Sequence, residues 1–319
     1  YTLSSLTTGD SNVALGYAAG AALTTGHSNV LIGRAVAQTA TDLTSAIMIG
    51  FAAGASINTN NSQGSVLIGY NAGATQTGGV NTFIGYDSGR YNKAGTYNTF
   101  VGYEAGTYAT GSSNTFMGYQ AGRGSSSVPY ASRGNNTAIG YKAFYEATTA
   151  QMNSILGQEA GEKITEGETN NLFGYRAGRN ITTGASNIAI GFEALRDENT
   201  TGTVAIGSRA GVFNSGNDNV FVGTEAGRNS GAGTDQVIIG HDAGRHATHD
   251  DVVIIGEDAG YYATGSYNTF VGKDAGKGGQ TTAPYSSGTF NTFIGYQSGQ
   301  AFTTGHQNTA IGVNALQAL

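Results

Sequence analysis

The chain contains no cysteine, so it uses no disulfide, no thiolate metal ligand and no cysteine nucleophile. Proline occurs only twice and glycine does not recur at every third residue, which excludes a collagen triple helix. Charged residues make up only 11% of the 319, and a net charge of -6 spread along them gives no basic footprint for nucleic acid. No apolar run approaches the ~20 residues of a membrane span. No signal-peptide pattern is visible and the first residue is Tyr1, which implies a processed chain or a fragment. Disorder is excluded in turn, because apolar residues reach 39% and are regularly spaced.

What the chain does have is glycine, 52 of them, among Asn, Thr and short β-branched runs. That composition describes many tight turns joining many short strands. The turns are periodic. NTFIGYDSG at Asn81–Gly89 returns at Asn98 (NTFVGYEAG), Asn114 (NTFMGYQAG), Asn268 (NTFVGKDAG) and Asn291 (NTFIGYQSG). Aligning on the first glycine of this unit gives eighteen anchors, from Gly16 to Gly312, mostly 16 or 17 residues apart. This period is too short for a helical pair or a propeller blade and suits one coil of a β-solenoid. The expected fold is all-β: a β-roll of about 18 coils over residues 1–319, a single repeat domain in which two nine-repeat blocks are discernible.

Each column of the repeat carries its own inference. The residue before the anchor is always apolar, from Leu15 to Ile311, and the one three before is β-branched in sixteen copies. By strand alternation these two outer rows share a face. The middle row between them points the other way and is also apolar in every copy. Both faces of the strand therefore call for cover. We expect the uniform Ile/Val row to fill the coil and the variable middle row to pack between chains in a parallel homotrimer. The expected interface residues are then Phe83, Phe100, Phe116, Phe221, Phe270 and Phe293. Asn stands four before the anchor in thirteen copies, a pattern expected of a stacked amide ladder.

The unit NTxIGYxAGxxxTTGxxN resembles the stalk repeat of phage and bacterial tail-fibre-domain proteins. Asn187–Leu195 (NIAIGFEAL) and Asn308–Gly312 (NTAIG) with Asn314-Ala315-Leu316 match it closely. It is similar, more distantly, to the β-roll heads of trimeric autotransporter adhesins. The resemblance covers the whole chain. It implies a structural fibre or stalk of a phage tail or cell-surface appendage, extracellular or on the virion surface, without enzymatic activity or cofactor.

The other candidates are contacts. Insertions near residues 123–135 and 277–290 hold the two prolines, each followed by tyrosine: Pro129-Tyr130 and Pro284-Tyr285. Insertions in solenoids form surface loops, so these four residues are candidate contacts to a receptor or glycan. Tyr follows the anchor in eight copies, which suits either cross-strand stacking or a sugar-binding track. Asp or Glu comes next in eight copies, and Arg228, Arg245 and Lys277 follow three residues later in theirs, as expected of surface ion pairs. His241, His246 and His249 cluster without a zinc spacing, and Gly272, Gly276 and Lys277 fall one residue short of a phosphate loop. An ice-binding face needs an unbroken Thr array, and the Thr row is interrupted by Val204, Val220, Val237 and Val253. Both termini cut through the repeat, Leu6–Gly9 being a back half and Gly312–Leu319 a front half, so the native object is expected to continue past both ends or to stack end to end.

Overall fold

The computed structural model describes residues 1–57, 62–126, 134–279 and 286–317. It is all-β, with eighteen parallel strands wound as a β-solenoid of about 17 turns. Every strand has three residues, the three that precede an anchor glycine. The chain divides into two compact units, Tyr1–Glu168 and Thr169–Leu319. The first holds nine strands, β1 (Val13–Leu15) to β9 (Ser154–Leu156); the second holds nine more, β10 (Asn171–Phe173) to β18 (Thr309–Ile311). Within each unit a strand pairs with the one in the next coil, in register. Thr99, Phe100 and Val101 lie opposite Thr82, Phe83 and Ile84 on one side, and opposite Thr115, Phe116 and Met117 on the other. Like therefore stacks on like.

The anchor must be glycine because the coils are stacked so closely. A Cβ built on Gly102 would lie 2.3 Å from the carbonyl oxygen of Gly118, and one on Gly33 only 2.1 Å from that of Gly50. All eighteen anchors also have φ between 125° and 142°, a region that L side chains rarely enter.

The middle row fills the coil, which corrects the expected orientation. Leu31, Met48, Phe83, Phe100, Phe116, Phe221, Phe270 and Phe293 are all fully buried within the single chain. The six phenylalanines are therefore core, not an interface between chains. The Ile/Val row that was expected inside faces outward. The buried asparagines decide this. Asn and the middle residue are two apart and share a face, and the interior face is where an amide ladder is sheltered from water. Asn98 accepts at Oδ1 from the Asn114 backbone N–H (2.9 Å) and donates from Nδ2 to the Gly111 carbonyl (2.9 Å). The same two bonds recur at Asn136 and, in the second unit, at Asn187 and Asn291. Each amide spans adjacent coils, and each would be costly to leave unpaired in this setting.

In most coils core volume is kept by an exchange between two positions; Ala205 with Gly211 departs from it, and there Leu195 and Phe221 of the neighbouring coils reach in instead. Phe100 lies over the second glycine of its own repeat, and a Cβ on Gly106 would sit 2.4 Å from its ring. The same holds for Phe83 with Gly89, Phe116 with Gly122 and Phe293 with Gly299. Where the second position carries a large side chain, the middle residue shrinks: Phe144 goes with Ala138, Leu195 with Ala189 and Leu316 with Ala310. A second exchange runs through the Asn row. Where Asn gives way to a smaller or apolar residue, the position three earlier, commonly glycine, gains a side chain: Leu43 with Ala46, Thr200 with Thr203 and His249 with Val252. Close-packed interiors require such compensation.

The first exchange yields a test. Phe100→Ala alone leaves a cavity and should cost about 3–5 kcal/mol. Gly106→Leu alone drives a side chain into the Phe100 ring and should also destabilise. The double variant rebuilds the Ala189/Leu195 arrangement and should recover most of the loss in urea denaturation. A double variant no more stable than the sum of the two singles would refute the exchange.

Candidate binding surface

The outward face of each strand presents two apolar rows, and the residue after the anchor adds a third. In the coil of Thr99–Val101 these are Thr99, Val101 and Tyr103; the coils on either side contribute Thr82, Ile84 and Tyr86, and Thr115, Met117 and Tyr119. Strand residues here are half-buried by their neighbours above and below, while Tyr86, Tyr103 and Tyr119 are each 43% exposed. The Thr row is not continuous: Ile47 and Val66 occupy it in the first unit, and Val204 to Val253 in the second.

The tyrosines form a ladder. Phe51, Tyr70, Tyr86, Tyr103, Tyr119 and Tyr141 stack in sequence with centroids 4.9–5.2 Å apart and planes within 10°. Arg34 extends it, its guanidinium 5.7 Å from the Phe51 centroid and 5.9 Å from that of Tyr17. Each interior ring spends both faces on its neighbours. What reaches solvent is ring edge and phenol, not the ring face on which a sugar would stack. Of the two readings of this row, the geometry supports cross-strand stacking. Burial and then the Glu104 carboxylate push the Tyr103 phenol up, so it stays a hydroxyl donor.

In the second unit the residue two after the anchor builds a row of ion pairs. As the spacing predicts, Arg228 pairs with Glu225 (3.3 Å), Arg245 with Asp242 (3.2 Å) and Lys277 with Asp274 (2.7 Å). The pairs also bridge coils, Arg245 reaching Glu225 at 2.9 Å and Lys277 reaching Asp258 at 2.9 Å. Burial pushes the Glu193 carboxyl up, but hydrogen bonds from Arg196 and Arg209 outweigh it and hold the group below the usual carboxylate range. Lys277 is thus committed to carboxylates rather than free for a phosphate. All eighteen residues two after an anchor are left-handed, with φ near 50–58°, although they include Ala18, Lys142 and Arg176. Sequence reasoning missed this; the Asp and Asn in the column, which tolerate that region, were the available signal.

The three histidines do not converge. His241 is exposed, His246 stacks on Tyr262 at 5.7 Å, and His249 is buried. Ligand atoms of His241, Asp242 and Asp258 lie within 4.8 Å of one another. Arg245 and Lys277 already neutralise the two carboxylates, which argues against a cation there. Pro129, Tyr130, Pro284 and Tyr285 lie outside the described residues. The chain matches no protein-family model, no curated protein and no solved structure.

His249 gives this region a pH dependence. Both ring nitrogens are buried without a partner, and burial pushes the pKa down to about 4 against the opposing pull of Asp250. In the unfolded chain a histidine takes its proton near 6.5. Between these values the unfolded state binds the extra proton, so stability rises with pH there and falls as pH drops from about 6.5 toward 4. The loss should approach ~3 kcal/mol. The double variant His249→Gly/Val252→Asn, which restores the commoner pair, should flatten that slope in pH-dependent thermal melts. An unchanged slope would place the titration elsewhere.

Proposed function

We propose that the chain is a structural fibre or stalk protein of a phage tail fibre or cell-surface appendage, with a non-enzymatic and partly adhesive role outside the cell or on the virion. The observation that carries this reading is the outward face. The two outer strand rows repeat once per coil in strict register, and over the six coils from Phe51 to Tyr141 an unbroken aromatic row runs beside them. A surface with one strand spacing as its period is matched best by another with the same period, and a parallel copy of the same chain has it. Nine coils at ~4.8 Å, each contributing its three strand residues, the anchor and the residue after it at ~3.3 Å, give about 700 Å² per unit, close to the ~800 Å² per partner of a stable interface. A parallel homotrimer closes such faces around one axis and leaves no sheet face open. The repeat's resemblance to tail-fibre stalks supports the same reading.

The interface row is now the outward one, and the test follows it. Ile84→Asp with Val101→Asp should convert the assembly to a folded monomer with unchanged circular dichroism, read by mass photometry. A wild-type chain that is monomeric at micromolar concentration would overturn the proposal.

A further inference from the structure

The turn residue five before each anchor is left-handed in every coil. Most coils of the first unit place there a residue suited to that backbone: Ser11, Ser28, Ser45, Gly64, Ser113 or Asn135. Val80 (φ 56°), Tyr97 (φ 59°) and Met152 (φ 57°) do not fit this pattern; Met152 stands alone and is unbranched, whereas the β-branched Val80 and the aromatic Tyr97 lie in consecutive coils. A β-branched or bulky side chain is a true outlier in that region. Neither residue recovers the strain by burial, since Val80 is 55% and Tyr97 66% exposed. The bulky residues at this turn in the second unit, Tyr267 and Phe290, at least stack on each other at 4.8 Å. Among the described residues no ring or cation packs on Tyr97. Strain kept without a packing return points to a contact made with something outside the chain.

Val80 and Tyr97 line one groove of about 290 Å³, together with Gly78, Gly79, Ala94 and Thr96. Gly79 opens it, for the corresponding residue in most other coils carries a side chain, as Thr44 and Thr96 do. The lining holds no carboxylate, amine or guanidinium, which selects an uncharged ligand. Its polar groups are backbone amides and hydroxyls. Thr96 is anchored by Ser112, whose Oγ accepts from the Thr96 backbone N–H at 3.1 Å and lies 3.3 Å from Thr96 Oγ1. Beside them stands an uncovered aromatic face, whose negative quadrupole attracts the polarised axial C–H groups of a pyranose. The volume is at the small end of ligand sites, enough for one or two sugar rings.

We infer that this groove binds a neutral hexose unit of a glycan, stacked on Tyr97 and hydrogen-bonded to Thr96 Oγ1 and the Gly79 backbone, the Gly78 N–H and carbonyl being engaged within the chain by Lys93 and Gln76. The inference does not rest on the fibre reading. The test is an array of neutral gluco-, manno- and galacto-oligosaccharides, followed by calorimetric titration of any retained one. Tyr97→Ser, which restores the residue of neighbouring coils, should weaken binding at least tenfold while the melting temperature holds or rises. Gly79→Thr, which fills the groove with a residue other coils accept, should weaken it likewise. The inference is overturned if the wild-type chain retains no neutral oligosaccharide, or if Tyr97→Ser binds as tightly as wild type. It is equally overturned if Tyr97→Ser melts lower or changes the oligomeric state, because Tyr97 would then be a packing residue.

Discussion

At the anchor glycines, successive coils meet backbone to backbone. A single methyl group on most of them would stand 2.1–2.6 Å from the next coil's carbonyl. This contact sets the coil spacing, and the spacing sets everything stacked upon it. Rings in the core meet at 4.8–4.9 Å along Phe83, Phe100 and Phe116 because the backbones beneath them do. Surface rings meet at nearly the same distance along Tyr70, Tyr86 and Tyr103 for the same reason. A side chain at the anchor would part the coils and loosen the amide ladder, the ring stacks and the strand pairing together.

The coil is tight at a conformational cost. Four positions in each repeat are left-handed: the turn residue, the anchor, the residue two after it and the second glycine. Glycine carries two of these in most coils, but the other two are mostly L-residues, at about 1–2 kcal/mol each. Inter-coil hydrogen bonds offset the cost. Glu104 N–H reaches the Tyr86 carbonyl of the preceding coil at 2.8 Å, and Gly106 N–H reaches the Ala121 carbonyl of the following one at 3.0 Å. Neither bond belongs to a strand. The coils are thus knitted through their bends as well as their sheet, which lets strands of three residues hold a parallel stack that would otherwise be too short to persist.

The period, the parallel stacking, the amide ladder and the ion-pair row were legible because each depends on residue type at a fixed spacing. Which face of the strand pointed inward was not, because alternation gives the pairing of rows but not its sign. The deciding signal lay in columns read together. Phe100 with Gly106, set against Ala138 with Phe144, conserves volume, and only positions that share an interior need to do so. A uniform Ile/Val row is what a repetitive surface would carry equally well. The strain at Tyr97 was also out of reach, since the left-handed turn is set by tertiary stacking, and tyrosine is not a residue that announces it.

The two surface features differ in kind, and the difference bears on what each can recognise. The outer strand rows repeat with the coil, as the aromatic row does from Phe51 to Tyr141, and each side chain is half-satisfied by its neighbours above and below. Such a surface is generic along its axis: any coil can face any other, so it can set distance and direction between partners but cannot single out a position. Val80, Tyr97 and Gly79 break the repeat where strain, exposure and a missing side chain coincide. An irregularity in an otherwise periodic surface is local, and a discrete ligand needs a local feature. The repeat thus suits assembly, and specific recognition has to be sought where the repeat fails.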